Sequence, residues 1–74
     1  MTTVKNRVRT MREALGLTQA ELAVRTGVSR QAINAIETGR YDPSIGLAHA
    51  LSKVFRCMIE DIFIFEDGED NEKE

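Results

Sequence analysis

Tryptophan is absent from this 74-residue chain, and cysteine, histidine, proline and tyrosine each occur once. A lone Cys57 cannot close an internal disulfide or build a cysteine-rich zinc site. Such usage points to a reducing, intracellular compartment, so the expected location is cytoplasmic. A lone His49 has no second ligand beside it, so no metal is expected, and nothing points to a cofactor. No acid–base pair or nucleophile constellation is visible, which argues against an enzyme. No apolar run approaches the ~18–20 residues of a membrane span, and the N-terminus lacks the apolar segment of a secretory signal. Four aromatics and 42% apolar residues leave material for one small core. One domain fits, burying roughly 60–65% of its unfolded surface.

Positive charge is scarce on average. Ten basic residues face twelve acidic ones, for a net charge of −2, and that balance alone argues against a nucleic-acid partner. The average hides a division. Residues 1–56 hold nine of the basic residues and four acidic ones, a balance of +5, whereas residues 57–74 hold Lys73 against eight acids, a balance of −7. A net-negative chain can therefore present a positive face. Residues 67–74 contain no apolar side chain and repel themselves, so they are expected to form a disordered acidic tail after a folded domain spanning 1–66. Its default role is solubility; competing with phosphates for the basic face is the functional alternative.

The helical signals come in sequence. Val4, Val8, Met11 and Leu15 follow a helical repeat that Gly16 stops. Thr18-Gln19-Ala20-Glu21 is a capping box, opening a second helix that runs to about Arg25 and buries Leu22 and Ala23. Gly27 can take the positive φ of a very short turn. Ser29 caps a third helix reaching about Thr38. Its core face is Ala32, Ile33 and Ile36, with Gln31, Asn34, Ala35 and Thr38 on the opposite stripe. Pro43 and Ser44 start a fourth helix with Leu47, Ala48, Leu51, Val54 and Phe55 on one face. A short fifth helix fits Ile59–Ile62, and the β-branched and aromatic run Ile62–Phe65 reads as a strand.

Two short helices, within about residues 18–38 and separated by three residues with a central glycine, have helix-turn-helix spacing. Ala23 lets the helices cross closely, and Ile33 and Ile36 lock the second onto the first. The polar outer face of the second is then free for a major groove. The structural alternative is a small all-α bundle whose polar face only meets water.

The same residues carry a resemblance. The run from Leu17 to Ala23, followed by Gly27-Val28-Ser29-Arg30-Gln31-Ala32-Ile33-Asn34-Ala35-Ile36-Glu37-Thr38-Gly39, resembles the Cro/Xre-type helix-turn-helix family. Tyr41-Asp42-Pro43-Ser44 and Ile59-Glu60-Asp61-Ile62-Phe63 are similar to a compact bacterial and archaeal subgroup that includes the cytolysin repressor. The resemblance covers about residues 5–66. It implies an all-α, five-helix lambda-repressor-like DNA-binding domain with a short C-terminal β-strand, and a function in transcription regulation.

The resemblance also implies roles. Ser29, Arg30, Gln31 and Asn34 match positions used for base or groove contacts. Gln31 and Asn34 have the chemistry to bond an adenine edge, and Arg30 a guanine, with a phosphate contact as the alternative for Arg30. Ala35 offers a methyl group suited to a thymine methyl. Thr18 and Gln19 match phosphate-clamping positions, where a positive helix end suits an anion. Thr38, Arg40 and Tyr41, just past the reading helix, are candidates to hold the backbone on its other side, and Arg7 and Arg9 are weaker ones. Arg12 and Glu37 match a buried structural ion pair of phage repressors. Arg56, Met58 and Gly46 depart from the subgroup, at the end of helix four, at the cap of helix five and inside helix four.

One such unit offers little surface for specificity, so a homodimer reading a palindromic operator on double-stranded DNA, most simply as a repressor, is expected. The dimerisation segment falls at about 58–66, with Ile62, Phe63, Ile64 and Phe65 as its interface and Thr2-Thr3-Val4 as a candidate partner strand. The alternative for these apolar residues is the monomer core. The alternative function is an antitoxin or coactivator-like protein-interaction module on the same fold.

Overall fold

Asn6 separates strand from helix at the start of the chain. Its Oδ1 accepts the Val8 amide at 3.1 Å, and its Nδ2 donates to the Ile36 carbonyl at 2.9 Å. The computed structural model describes the backbone of residues 2–40 and 42–67 and the side chains of 5–40 and 42–65. Its elements run β1 (Thr2–Asn6), α1 (Val8–Ala14), α2 (Gln19–Thr26), α3 (Arg30–Glu37), α4 (Ile45–Phe55), α5 (Ile59–Ile62) and β2 (Phe63–Asp67). Val4 therefore belongs to a strand, not to the first helix. The apolar spacing that extends the helix back to Val4 runs through the break that Asn6 makes.

β1 pairs antiparallel with β2, in a register from Thr2↔Asp67 to Asn6↔Phe63. The partner strand expected at Thr2-Thr3-Val4 is thus supplied within one chain. The expected strand Ile62–Phe65 is shifted: Ile62 closes α5, and pairing continues through Asp67. Asp67, expected in the tail, ends the strand, and residues 68–74 lie outside the described residues.

The helices share one core of Val8, Leu22, Ala23, Ile33, Ile36, Leu47, Ala48, Leu51, Ile62 and Phe63. Every element from α1 to β2 contributes to it. Met11, Val54, Phe55 and Cys57 pack partly against it. Burial and the nearby Asp61 carboxylate push the Cys57 thiol above its ordinary range, as suits a small packing residue rather than a reactive one. Leu15, the last position of the first helical repeat, is 53% exposed because α1 has already ended and Leu15 serves as its cap.

The two departures before α5 have different outcomes. Arg56 ends α4 with φ +56°, a left-handed conformation that favours glycine. Met58 has no hydroxyl to offer, yet Asp61 accepts its amide at 3.0 Å, so half of a capping box survives. Arg56→Gly is therefore expected to stabilise the fold. Relief of the strain outweighs the added freedom of the unfolded chain, for a net gain of about 0.5–1 kcal/mol. Thermal unfolding followed by circular dichroism would show a rise of a few degrees.

Candidate nucleic-acid interface

α2 and α3 are fixed from their ends inward. Thr18 Oγ1 accepts the Glu21 amide at 3.0 Å while Glu21 Oε1 accepts the Thr18 amide at 2.8 Å, closing the expected capping box. These two Thr18 groups hold the Glu21 carboxyl below its ordinary range. Gly27 takes φ +76° at the end of α2, and the Val28 amide returns to the Ala23 carbonyl at 3.1 Å. Ser29 Oγ then accepts the Ala32 amide at 3.1 Å and starts α3. Ala23 is buried in the core that α2 and α3 share, and buried Ile33 and Ile36 seat α3 on it.

That seating turns the opposite stripe outward. Ser29, Arg30 and Gln31 are exposed, while Asn34 and Ala35 are half-buried. The Ser29 hydroxyl accepts in its cap and keeps its own hydrogen to donate. Arg40 is exposed just past α3, and Tyr41 lies outside the described residues. Thr38 is exposed, but its hydroxyl donates to the Asn34 carbonyl at 2.9 Å. A bond from that hydroxyl to a phosphate would have to replace this one.

Beneath the stripe lies a bonded chain of polar groups. Arg12 Nε meets Glu37 Oε2 at 2.7 Å, and Nη2 meets Oε1 at 3.2 Å. The two side chains are 11% and 3% exposed, so the expected buried ion pair is formed. The hydrogen bond to Glu37 raises the pKa of Arg12 further, against the opposing effect of burial. Arg12 Nη1 also donates to the Leu17 carbonyl at 2.8 Å. Gln19 Nε2 then reaches Glu37 Oε1 at 3.0 Å and Asn34 Oδ1 at 3.3 Å. Gln19, expected as a phosphate clamp, is half-buried, with its amide nitrogen turned inward onto α3.

Two roles escaped the sequence reading. Asn6 ties the ribbon to the end of α3, and Gln19 joins α2 to the outer stripe. Both act over separations of 15 residues or more, which no local spacing signals.

The acidic side chains of the helical part are largely occupied. Glu13 pairs with Arg9 at 3.2 Å, Glu21 is held in its cap, and Glu37 is neutralised by Arg12. The exposed Arg30 and Arg40 make no such pair among the described residues. The face around α3 is therefore positive despite the net charge of the chain.

Residues 8–62 match the helix-turn-helix family, which takes in every helix from α1 to α5. The chain belongs to the Cro/Xre-type helix-turn-helix family. It is similar to an HTH-type transcriptional regulator of Methanocaldococcus jannaschii, 53% identical over 66 residues that span 89% of this chain and 100% of the relative. Its structure is similar to that of the P22 c2 repressor, solved in complex with a synthetic operator. The TM-score is 0.71 and the identity 35%, over 73% of this chain and 82% of that one. The restriction-modification controller protein C.AhdI of Aeromonas hydrophila gives a TM-score of 0.69 at 27% identity, over 74% and 83% of the two chains. This Cro/Xre-type chain is a transcriptional regulator with a DNA-binding helix-turn-helix, from a family of regulators rather than enzymes. No helix among the described residues is long and apolar enough to cross a membrane.

Proposed function

We propose that this regulator is a homodimeric repressor that reads a palindromic operator with α3 in the major groove. The observation that carries the reading is the two-sidedness of α3. Ile33 and Ile36 are enclosed, while Arg30 and Gln31 stand exposed with no side-chain partner among the described residues. Ser29, Arg30, Gln31, Asn34 and Ala35 form the base-facing set. Thr18, Thr38, Arg40 and Tyr41 are the backbone-facing set, which sets register without reading sequence; Gln19, its amide nitrogen engaged by Glu37 and Asn34, is not counted in it.

An exposed apolar surface supports the second copy. An apolar groove of about 190 Å³ runs between Pro43, Ile45, Ala48, Ile59, Phe63 and Phe65. Ile45 is 86% exposed and Phe65 56% exposed at its rim. This alters the interface expected from Ile62–Phe65. Ile62 is fully enclosed in the monomer and Phe63 nearly so, because α5 and the start of β2 cover the core. Ile64 is half-buried, and Phe65 alone of the four is exposed. The proposed contact is therefore Phe65 with Ile45, over a floor that includes the edge of Phe63.

Selection from random duplex DNA, with affinity followed across salt, tests the reading. An inverted repeat and a steep fall of affinity with salt are expected. Gln31→Ala should weaken binding to the recovered site by roughly 5- to 150-fold and relax preference at its own base pair. Recovery of no motif, with weak binding that Gln31→Ala and Asn34→Ala leave unchanged, would favour a protein-interaction module instead.

A further inference from the structure

The bonded chain from Arg12 to Asn34 has a direction. A guanidinium only donates, and an ionised carboxylate only accepts. Arg12 therefore fixes Glu37 as acceptor, and Glu37 obliges Gln19 to turn Nε2 toward it, at 3.0 Å. The other hydrogen of the same Nε2 serves Asn34, which must offer Oδ1, at 3.3 Å. Amide orientations are assigned from such networks, and here a charged pair sets the whole series. Asn34 Nδ2, with two hydrogens to donate, has no partner among the described residues.

We propose that Gln19 is a positioning residue that holds Asn34 as a hydrogen-bond donor toward the groove, so that Asn34 selects guanine rather than adenine. The proposal rests on the reading in which Asn34 reaches a base. A bidentate adenine contact needs Oδ1 at N6 and Nδ2 at N7 together. An amide whose oxygen is turned toward α2 does not bring both atoms level with the base edge. Guanine N7 and O6 both accept, so an outward-facing Nδ2 matches them without help from Oδ1. Thymine O4 is a poorer match, and the cytosine amino group, a donor itself, is refused. Gln19 would thus set which base is read without touching DNA.

The test compares the full chain with Gln19→Met and Asn34→Ala. Each is used in a random-duplex selection, then in competition titrations on the recovered site with every base pair varied singly. Asn34→Ala identifies the pair that Asn34 reads, and wild type is expected to prefer guanine there. Gln19→Met keeps length but donates nothing, so the Asn34 amide is free to turn over. The guanine-over-adenine preference should then fall about 10-fold at that pair alone, with other pairs changed less than about twofold. A uniform loss at all pairs would make Gln19 a phosphate clamp and overturn the proposal. So would an adenine preference in wild type, an arm that needs no variant to fold. If Asn34→Ala alters no pair, the reading of Asn34 as a base contact fails first, and the result is distinct from either.

Discussion

Glu37→Ala is expected to cost about 3–5 kcal/mol, most of the stability available to a domain of this size. The carboxylate is nearly enclosed and takes two bonds from Arg12 and one from Gln19. Its removal leaves a guanidinium 11% exposed with only the Leu17 carbonyl to satisfy it. The cost is that of an uncompensated charge rather than of a lost attraction. Replacing both partners, as Arg12→Met with Glu37→Met, should therefore recover much of the loss. Urea unfolding read by circular dichroism decides the matter. The single variant should show unfolded protein with little or no denaturant, and the double variant should regain a resolved transition. A single variant displaced by only a few tenths of a kcal/mol would mean that the pair is effectively solvated.

The second large effect concerns assembly. Ile45→Asp combined with Phe65→Asp is expected to give a folded monomer in light scattering and to weaken binding to a full operator by at least about 100-fold, since only one half-site is then held at a time. Both side chains lie at the rim of the groove and are mostly exposed, so charge there should spare the monomer. Phe63→Asp would be a poor substitute. Phe63 is 3% exposed within one chain, and a buried aspartate there would unfold the protein whatever its oligomeric state. A folded double variant that remains dimeric would place the interface elsewhere.

Local chemistry was legible from the sequence. The box Thr18–Glu21, the caps Ser29 and Ser44, and the positive φ of Gly27 each depend on neighbours a few residues away. So did the three-residue turn and the inward face of α3. The family resemblance added the ion pair between Arg12 and Glu37, which lie 25 positions apart. What was missed, or read two ways, depends on tertiary approach. Val4 kept helical phase with Val8 but was drawn into a ribbon by β2. Leu15 kept phase with Met11 but fell beyond the helix end. Ile62 and Phe63 read as interface first and monomer core second, because their cover comes from elements far away in sequence. The inward turn of Gln19 toward Asn34 and Glu37 was hidden for the same reason.

The β1–β2 ribbon has a kinetic consequence. It joins positions about sixty residues apart, so forming it closes a loop that contains every helix, at an entropy cost of about 3–4 kcal/mol. The helices make their own hydrogen bonds locally and need not wait for this closure. The ribbon is thus expected to form last in folding and to open first in the native state. Amides of Val4 and Phe65 should exchange with solvent sooner than those of Leu22, Ile36 or Leu51. Opening would also release the Asn6 bond to the Ile36 carbonyl, so the earliest native-state fluctuation loosens the far end of α3 before it disturbs the core.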